Sequence, residues 1–168
     1  MTMMKLQELI GQTDLDMTPS QVKAFFLGAL TAERPLPFSK AMEEMLSETP
    51  EAHKVLEQDL KILWDDLQKN KVIELKKIFS DESKLEEFLT QAKDQLDFYL
   101  TALSLSGTNI ENCKNEAWAD LIDELEDFVM ELDDYLSENN PYQGQGEELK
   151  ENLLETWDQY VKILSNKI

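Results

Sequence analysis

The stretch Asn115 to Ser137, NEAWADLIDELEDFVMELDDYLS, carries two helical patterns at once. Trp118, Leu121, Leu125, Phe128, Leu132 and Tyr135 recur at alternating spacings of three and four, the signature of a helix with one face in a core. Ile122, Val129 and Leu136 widen that seam. At about 100° per residue, Glu116, Asp120, Asp123, Asp127 and Asp134 fall on the opposite side, flanked by Glu124 and Glu131. From Asn115 to Leu149 there are twelve carboxylates and no lysine or arginine; the others are Glu126, Asp133, Glu138, Glu147 and Glu148. Like charges three or four residues apart cost a helix about 0.2–0.5 kcal/mol per pair. The seam therefore has to be held by neighbouring helices.

Those neighbours are legible on both sides. Toward the N-terminus, Leu85, Phe88, Leu89, Ala92, Leu96, Tyr99, Leu100 and Leu103 keep helical spacing behind a Ser83/Glu86 capping box, and Gly107 closes the segment. Toward the C-terminus, Ser137 to Gly146 is polar and turn-rich. A last helix from about Glu147 to Ser165 offers Leu149, Leu153, Leu154, Trp157, Tyr160, Val161 and Leu164. Further back, Thr18-Pro19 with Gln21 is a strong helix start, leading to Val22, Phe25, Phe26, Ala29 and Leu30 on one face. Pro35 and Pro37 end that helix, and Ser39 is placed to cap a brief one with Met42, Met45 and Leu46. Thr49-Pro50 repeats the start chemistry for a helix to about Lys69, which buries Ala52, Leu56, Leu60, Leu63 and Leu67. Trp64 lies at the edge of that stripe and Ile62 off it. Residues 70–80 are ambiguous between helix and extended chain. The expectation is one all-α domain over residues 1–168, an antiparallel bundle of five to six helices, with residues 1–14 loosely docked.

The composition excludes several classes of function. With 35 acidic against 16 basic residues, the formal charge is −19, opposed to direct nucleic-acid binding and to docking on an anionic membrane. A basic partner would instead meet the chain at an enhanced rate. No apolar run is long enough for a signal sequence or a membrane-spanning helix, and Cys113 is the only cysteine, so a cytoplasmic protein without disulfides is expected.

Catalytic and metal motifs are sparse. Glu124/Asp127 and Glu131/Asp134 are Glu-x-x-Asp pairs, the kind that hold Mg²⁺ in helical nucleotide pyrophosphohydrolases when a Glu-x-x-Glu pair faces them. The candidates for that second pair are Glu48/Glu51 and Glu148/Glu151, neither in mid-helix, and Glu-x-x-Asp arises by chance in any acidic helix. His53, the only histidine, has Glu57 one turn away and reads as a surface residue. A Cys113–His53 nucleophile needs an unseen spatial meeting, whereas a small apolar role for Cys113 needs nothing further. Gly144-Gln145-Gly146 lacks the strand and lysine of a phosphate-binding loop. No catalytic residue, metal or cofactor is assigned.

The run Leu15-Asp16-Met17-Thr18-Pro19-Ser20-Gln21-Val22-Lys23-Ala24-Phe25-Phe26-Leu27-Gly28-Ala29-Leu30 resembles the early helix of the YgfB/YecA-like family of uncharacterised bacterial proteins. That helix starts with a hydroxyl-Pro pair and continues to a hydrophobic-Gly-hydrophobic stretch. The helix Leu96 to Leu103, the acidic helix and the final helix follow the family's order, so the resemblance spans about Leu15 to Leu164. The chain departs from the family at Lys23-Ala24, where a His-Gly pair is usual, in lacking the family's mid-chain Trp and Gly, and in lacking the zinc-binding tail of longer members. The resemblance implies an all-helical, cytoplasmic bacterial protein and transfers no catalytic residue.

Three functional expectations follow. The first is a non-enzymatic adaptor or regulatory protein that docks a basic protein through Glu116, Asp120, Asp123, Asp127, Glu131 and Asp134. Exposed ion pairs contribute only about 0–1 kcal/mol each, so an apolar contact should accompany them. Ile62, Trp64 and the Leu36-Pro37-Phe38 loop are the candidates, with Trp64 at the seam edge also fitting the core; self-association through the face of Ile62 and Trp64 is a further reading. The second is an Mg-dependent all-α nucleotide pyrophosphohydrolase. The third is a nucleic-acid mimic, with carboxylates in place of phosphates on a DNA-binding protein. Against all three stands the simple alternative that the acidic ridge is only a solvated face.

Overall fold

The computed structural model describes residues 3–79, 84–109, 111–137 and 144–167. The described residues form eight helices: α1 (Met3–Gly11), α2 (Pro19–Thr31), α3 (Phe38–Met45), α4 (Pro50–Lys69), α5 (Lys71–Lys77), α6 (Leu85–Leu105), α7 (Glu116–Leu136) and α8 (Gly146–Ser165). Among them there is no strand, as the all-α expectation requires. The count exceeds five to six because the short α1, α3 and α5 are elements of their own. Residues 71–77, ambiguous in sequence, are helical, with Leu75, Ile78 and Phe79 turned into the core and Ile73 exposed. The N-terminal segment buries Leu6 and Ile10 against the same core.

Helix starts follow the sequence signals unevenly. At Thr18 the capping box is complete: its hydroxyl accepts from the Gln21 N–H at 3.2 Å, and the Gln21 side chain accepts from the Thr18 N–H at 3.0 Å. Pro50 opens α4, but the Thr49 hydroxyl makes no cap. Helix α3 begins at Phe38, one residue before the expected cap Ser39, again without a side-chain cap. Ser83 lies outside the described residues, and α6 begins after Lys84 with no side-chain cap.

The central element is α2. The sequence reading gives it one apolar face, yet Ala24, Leu27, Gly28 and Thr31 are buried as well. A helix apolar on all sides belongs in the middle of a bundle. Its most extensive partner is α6, and Gly28 makes that approach possible. A Cβ at Gly28 would collide with the Tyr99 carbonyl oxygen and stand 2.8 Å from the Ala102 Cβ. The two helices run in the same sense: Gln21 meets Asp94, Thr31 meets Tyr99, and Glu33 meets Thr108. Helices α6 and α8 are also parallel, since Lys150 sits over Phe88 while Tyr160 meets Tyr99. Helix α7 runs against both, through Lys93–Asp133 and Trp118–Tyr160. The expected antiparallel bundle is thus mixed. The chain between α2 and α6 includes the 20-residue α4, and a helix rises about 1.5 Å per residue, so this segment can carry the chain back to the end where α2 began.

A line of polar groups crosses the core. The Trp118 indole N–H donates to the Tyr160 hydroxyl at 3.1 Å, and that hydroxyl lies 2.9 Å from the Tyr99 hydroxyl. Tyr99 in turn meets the Thr31 hydroxyl at 2.7 Å, which donates to the Leu27 carbonyl at 2.7 Å. The end groups fix every proton, because an indole N–H can only donate and a carbonyl can only accept. Thr31 spends its proton on Leu27, so Tyr99 donates to Thr31 and Tyr160 donates to Tyr99. Each hydroxyl donates once and accepts once, with none left over. Burial pushes both tyrosine hydroxyls well above their ordinary pKa and keeps them neutral. Trp157 stacks on Tyr160, meets Tyr99 and Phe79 edge-on, and donates its N–H to the Leu75 carbonyl at 2.8 Å. Trp118 and Trp157 are core anchors, as their positions on the seams imply.

Candidate functional site

Helix α7 is held from its start. The Asn115 side chain accepts from the Trp118 N–H at 2.8 Å, and Trp118, Leu121, Ile122, Leu125 and Leu132 are buried. Phe128 and Tyr135, expected in the seam, are only half-buried, so the buried face opens toward its C-terminal end. With the seam fixed, Glu116, Asp120, Asp123, Asp127 and Asp134 stand exposed and Glu131 is half-buried. Among the described residues none of these six has an ion-pair partner. The neighbouring Asp133 is the exception, bound at 2.9 Å by Lys93 of α6. Lys93 is held protonated, first by that hydrogen bond. Glu138, in the polar loop that follows, lies outside the described residues.

Partial burial and neighbouring charge both act on the carboxylates of this helix. Glu126 is pushed above its usual carboxylate pKa by partial desolvation and then by Asp123 and Asp127. Glu131 is pushed up by desolvation and then by Asp127. A helix that strains its own carboxylates in this way gains when a cation arrives.

Beside the ridge runs a groove between α7 and α8, with a volume of about 460 Å³. Glu124, Asp127, Phe128 and Glu131 form one wall; Asn152, Glu155, Thr156 and Gln159 form the other. The antiparallel pairing of the two helices sets these residues face to face. Glu155 is a site residue that the sequence reading missed; its signal was its place on α8 one turn after Glu151, on a face whose partner was unknown. The apolar residue that lines the groove beside these carboxylates is Phe128, on the same helix.

Of the expected apolar contacts, Trp64 is buried and Ile62 is exposed. Trp64 is 4% exposed, packed edge-on against Phe26 at 5.1 Å and Phe38 at 5.6 Å, so it belongs to the core and offers nothing to a partner. The edge of the α4 stripe is covered because α3 folds back over it. Ile62 is 49% exposed and shares its face of α4 with the exposed Val55. In the Leu36-Pro37-Phe38 loop, Phe38 is half-buried under Lys61.

The groove does not assemble the paired-carboxylate geometry of a pyrophosphohydrolase. Glu148 borders an adjoining depression that shares Glu131 and Asn152 with the groove but is not lined by Glu124 or Asp127. Among the described residues no three acidic, histidine or cysteine side chains converge as a ligand set. His53 faces Glu57 at 3.9 Å. The Cys113 thiol contacts the Asn115 carbonyl at 3.6 Å and is pushed up by burial, which disfavours the thiolate a nucleophile needs. No helix of the described residues is long and apolar enough to cross a membrane. Comparison with protein-family models, with curated proteins and with solved structures gave no match.

Proposed function

We propose that this chain is a non-enzymatic adaptor or regulatory protein that docks a basic segment of another protein on the exposed face of α7. One observation carries the reading: among the described residues six ridge carboxylates stand on one helix without cation partners, beside a groove lined by Phe128. The carboxylates would steer the encounter, and the apolar stem of a lysine or arginine laid against Phe128 would add contact area while its head meets Glu124, Asp127, Glu131 or Glu155. The YgfB/YecA-like resemblance is part of the same proposal, which places the chain in a bacterial cytoplasm.

The test is low-salt capture of partners from the native lysate by wild type and by a variant with Asp120, Asp123, Asp127 and Asp134 changed to Asn. The captured basic protein is then purified and its affinity measured against salt. Binding that weakens steeply with salt and is lost in the variant supports docking on α7. Equal binding by both proteins returns the ridge to a solvated face. If DNA displaces the chain from its partner, the partner's site is a DNA-binding face and the nucleic-acid mimic is the sharper description.

A further inference from the structure

A second concavity, distinct from the α7–α8 groove, has the opposite chemistry. It lies where the C-terminal end of α2 meets the loop joining α6 to α7, with a volume of about 450 Å³. Its wall holds Arg34, the only arginine of the chain, and Lys114. Neither has an ion-pair partner among the described residues, although the chain has more than twice as many acidic as basic groups. Asn112 and Thr108 line the same wall.

The architecture around it is built rather than accidental. Gly107 takes φ +86°, a left-handed turn that suits glycine and swings the chain back toward α2 after α6 ends. Glu33 then ties the two segments twice: its N–H donates to the Thr108 hydroxyl at 3.0 Å, and its carboxylate accepts the Lys114 N–H at 3.0 Å. The Thr108 side chain is consequently only 2% exposed. Its oxygen accepts from Glu33, but its proton has no acceptor among the described residues. A buried donor without an acceptor is costly, and this one lines a cavity that already holds two cations.

We propose that this pocket binds a small monocarboxylate. The planar Arg34 guanidinium matches a carboxylate with two parallel hydrogen bonds, Lys114 supplies a second positive charge, and the Thr108 hydroxyl supplies the remaining donor. The charge count selects the class. Two cations and the Glu33 carboxylate give the wall a net charge of +1, which one carboxylate neutralises. A phosphate dianion would leave an excess negative charge beside Glu33 in a chain already at −19.

The test uses the full chain and sodium acetate as probe, with sodium phosphate and sodium chloride at matched ionic strength as comparators, followed by amide and arginine side-chain NMR. Acetate should shift the amide signals of Gly107, Thr108 and Lys114 and the Arg34 side-chain signal, saturating in the millimolar range. Phosphate should act at least several-fold more weakly and chloride not at all. Arg34→Gln and Lys114→Gln should each weaken the acetate response about tenfold while leaving the far-UV spectrum unchanged, since both side chains are exposed. Thr108→Val should likewise weaken the acetate response, and an undiminished response overturns the role given to the Thr108 hydroxyl. Shifts that are equal for acetate and chloride, or that survive Arg34→Gln, overturn the proposal. Phosphate binding more tightly than acetate overturns the assignment to a carboxylate.

Discussion

The buried polar line and the acidic face of α7 stand on either side of one helix, and they handle polarity in opposite ways. On the inner side, Trp118, Tyr160, Tyr99 and Thr31 are neutral, fully buried and satisfied bond for bond. On the outer side, five ridge carboxylates stand exposed and, among the described residues, without an ion-pair partner. An interior polar group is tolerated only when every donor and acceptor is matched, whereas a surface charge may stay unmatched because water screens it. The inner side should therefore govern stability and the outer side should govern what the protein meets.

The largest expected effect belongs to the inner side. Trp157→Ala removes a ring that stacks on Tyr160 and leaves the Leu75 carbonyl without its donor. A loss of about 3–5 kcal/mol is expected in denaturant unfolding, in the range for large buried aromatics. A loss no greater than that of an exposed substitution would mean stability does not reside in this cluster.

Next comes Tyr160→Phe, which keeps the ring and deletes one hydroxyl. It orphans the Trp118 N–H and removes the donor to Tyr99, at a cost of about 1–3 kcal/mol. The same line sets an alkaline limit. Tyr99 and Tyr160 have raised pKa values when folded, so above the ordinary tyrosine value of about 10 the unfolded chain releases protons that the folded chain retains. Stability is then level below that value and falls as pH rises through it. Tyrosinate absorbance from these two residues should appear only together with loss of helical circular dichroism. Their titration in a chain that stays helical would break the contrast between the two sides.

The smallest effect lies outside. Glu126 and Glu131 have raised folded values, so the folded chain takes up protons before the unfolded one. The sign is opposite to that of an ion-paired carboxylate: stability rises as pH falls from neutral into the carboxylate range, and the gain is complete below the unfolded value. Thermal unfolding of wild type at both ends of that window should show this rise, and Glu126→Gln with Glu131→Gln should flatten it. Each like-charge pair relieved by Asp123→Asn should add about 0.2–0.5 kcal/mol at neutral pH and low salt. Destabilisation by these changes would show that the ridge has structural partners after all.

Much of this was legible in the chain itself. The period of α7 fixed both its seam and its carboxylate side, and Thr18-Pro19 with Gln21 fixed the start of α2, because helix periodicity and capping are local. The all-round apolar character of α2 was also written there, in a run from Ala24 to Thr31 without a charge. What local pattern could not decide was which face met which. That α2 and α6 run parallel over Gly28, that α3 covers Trp64, that Glu155 faces Asp127, and that Arg34 and Lys114 share a pocket all depend on helices or loops far apart in sequence. Sequence spacing determines the direction in which a side chain leaves its own helix. Only the packing of distant helices decides what it finds there.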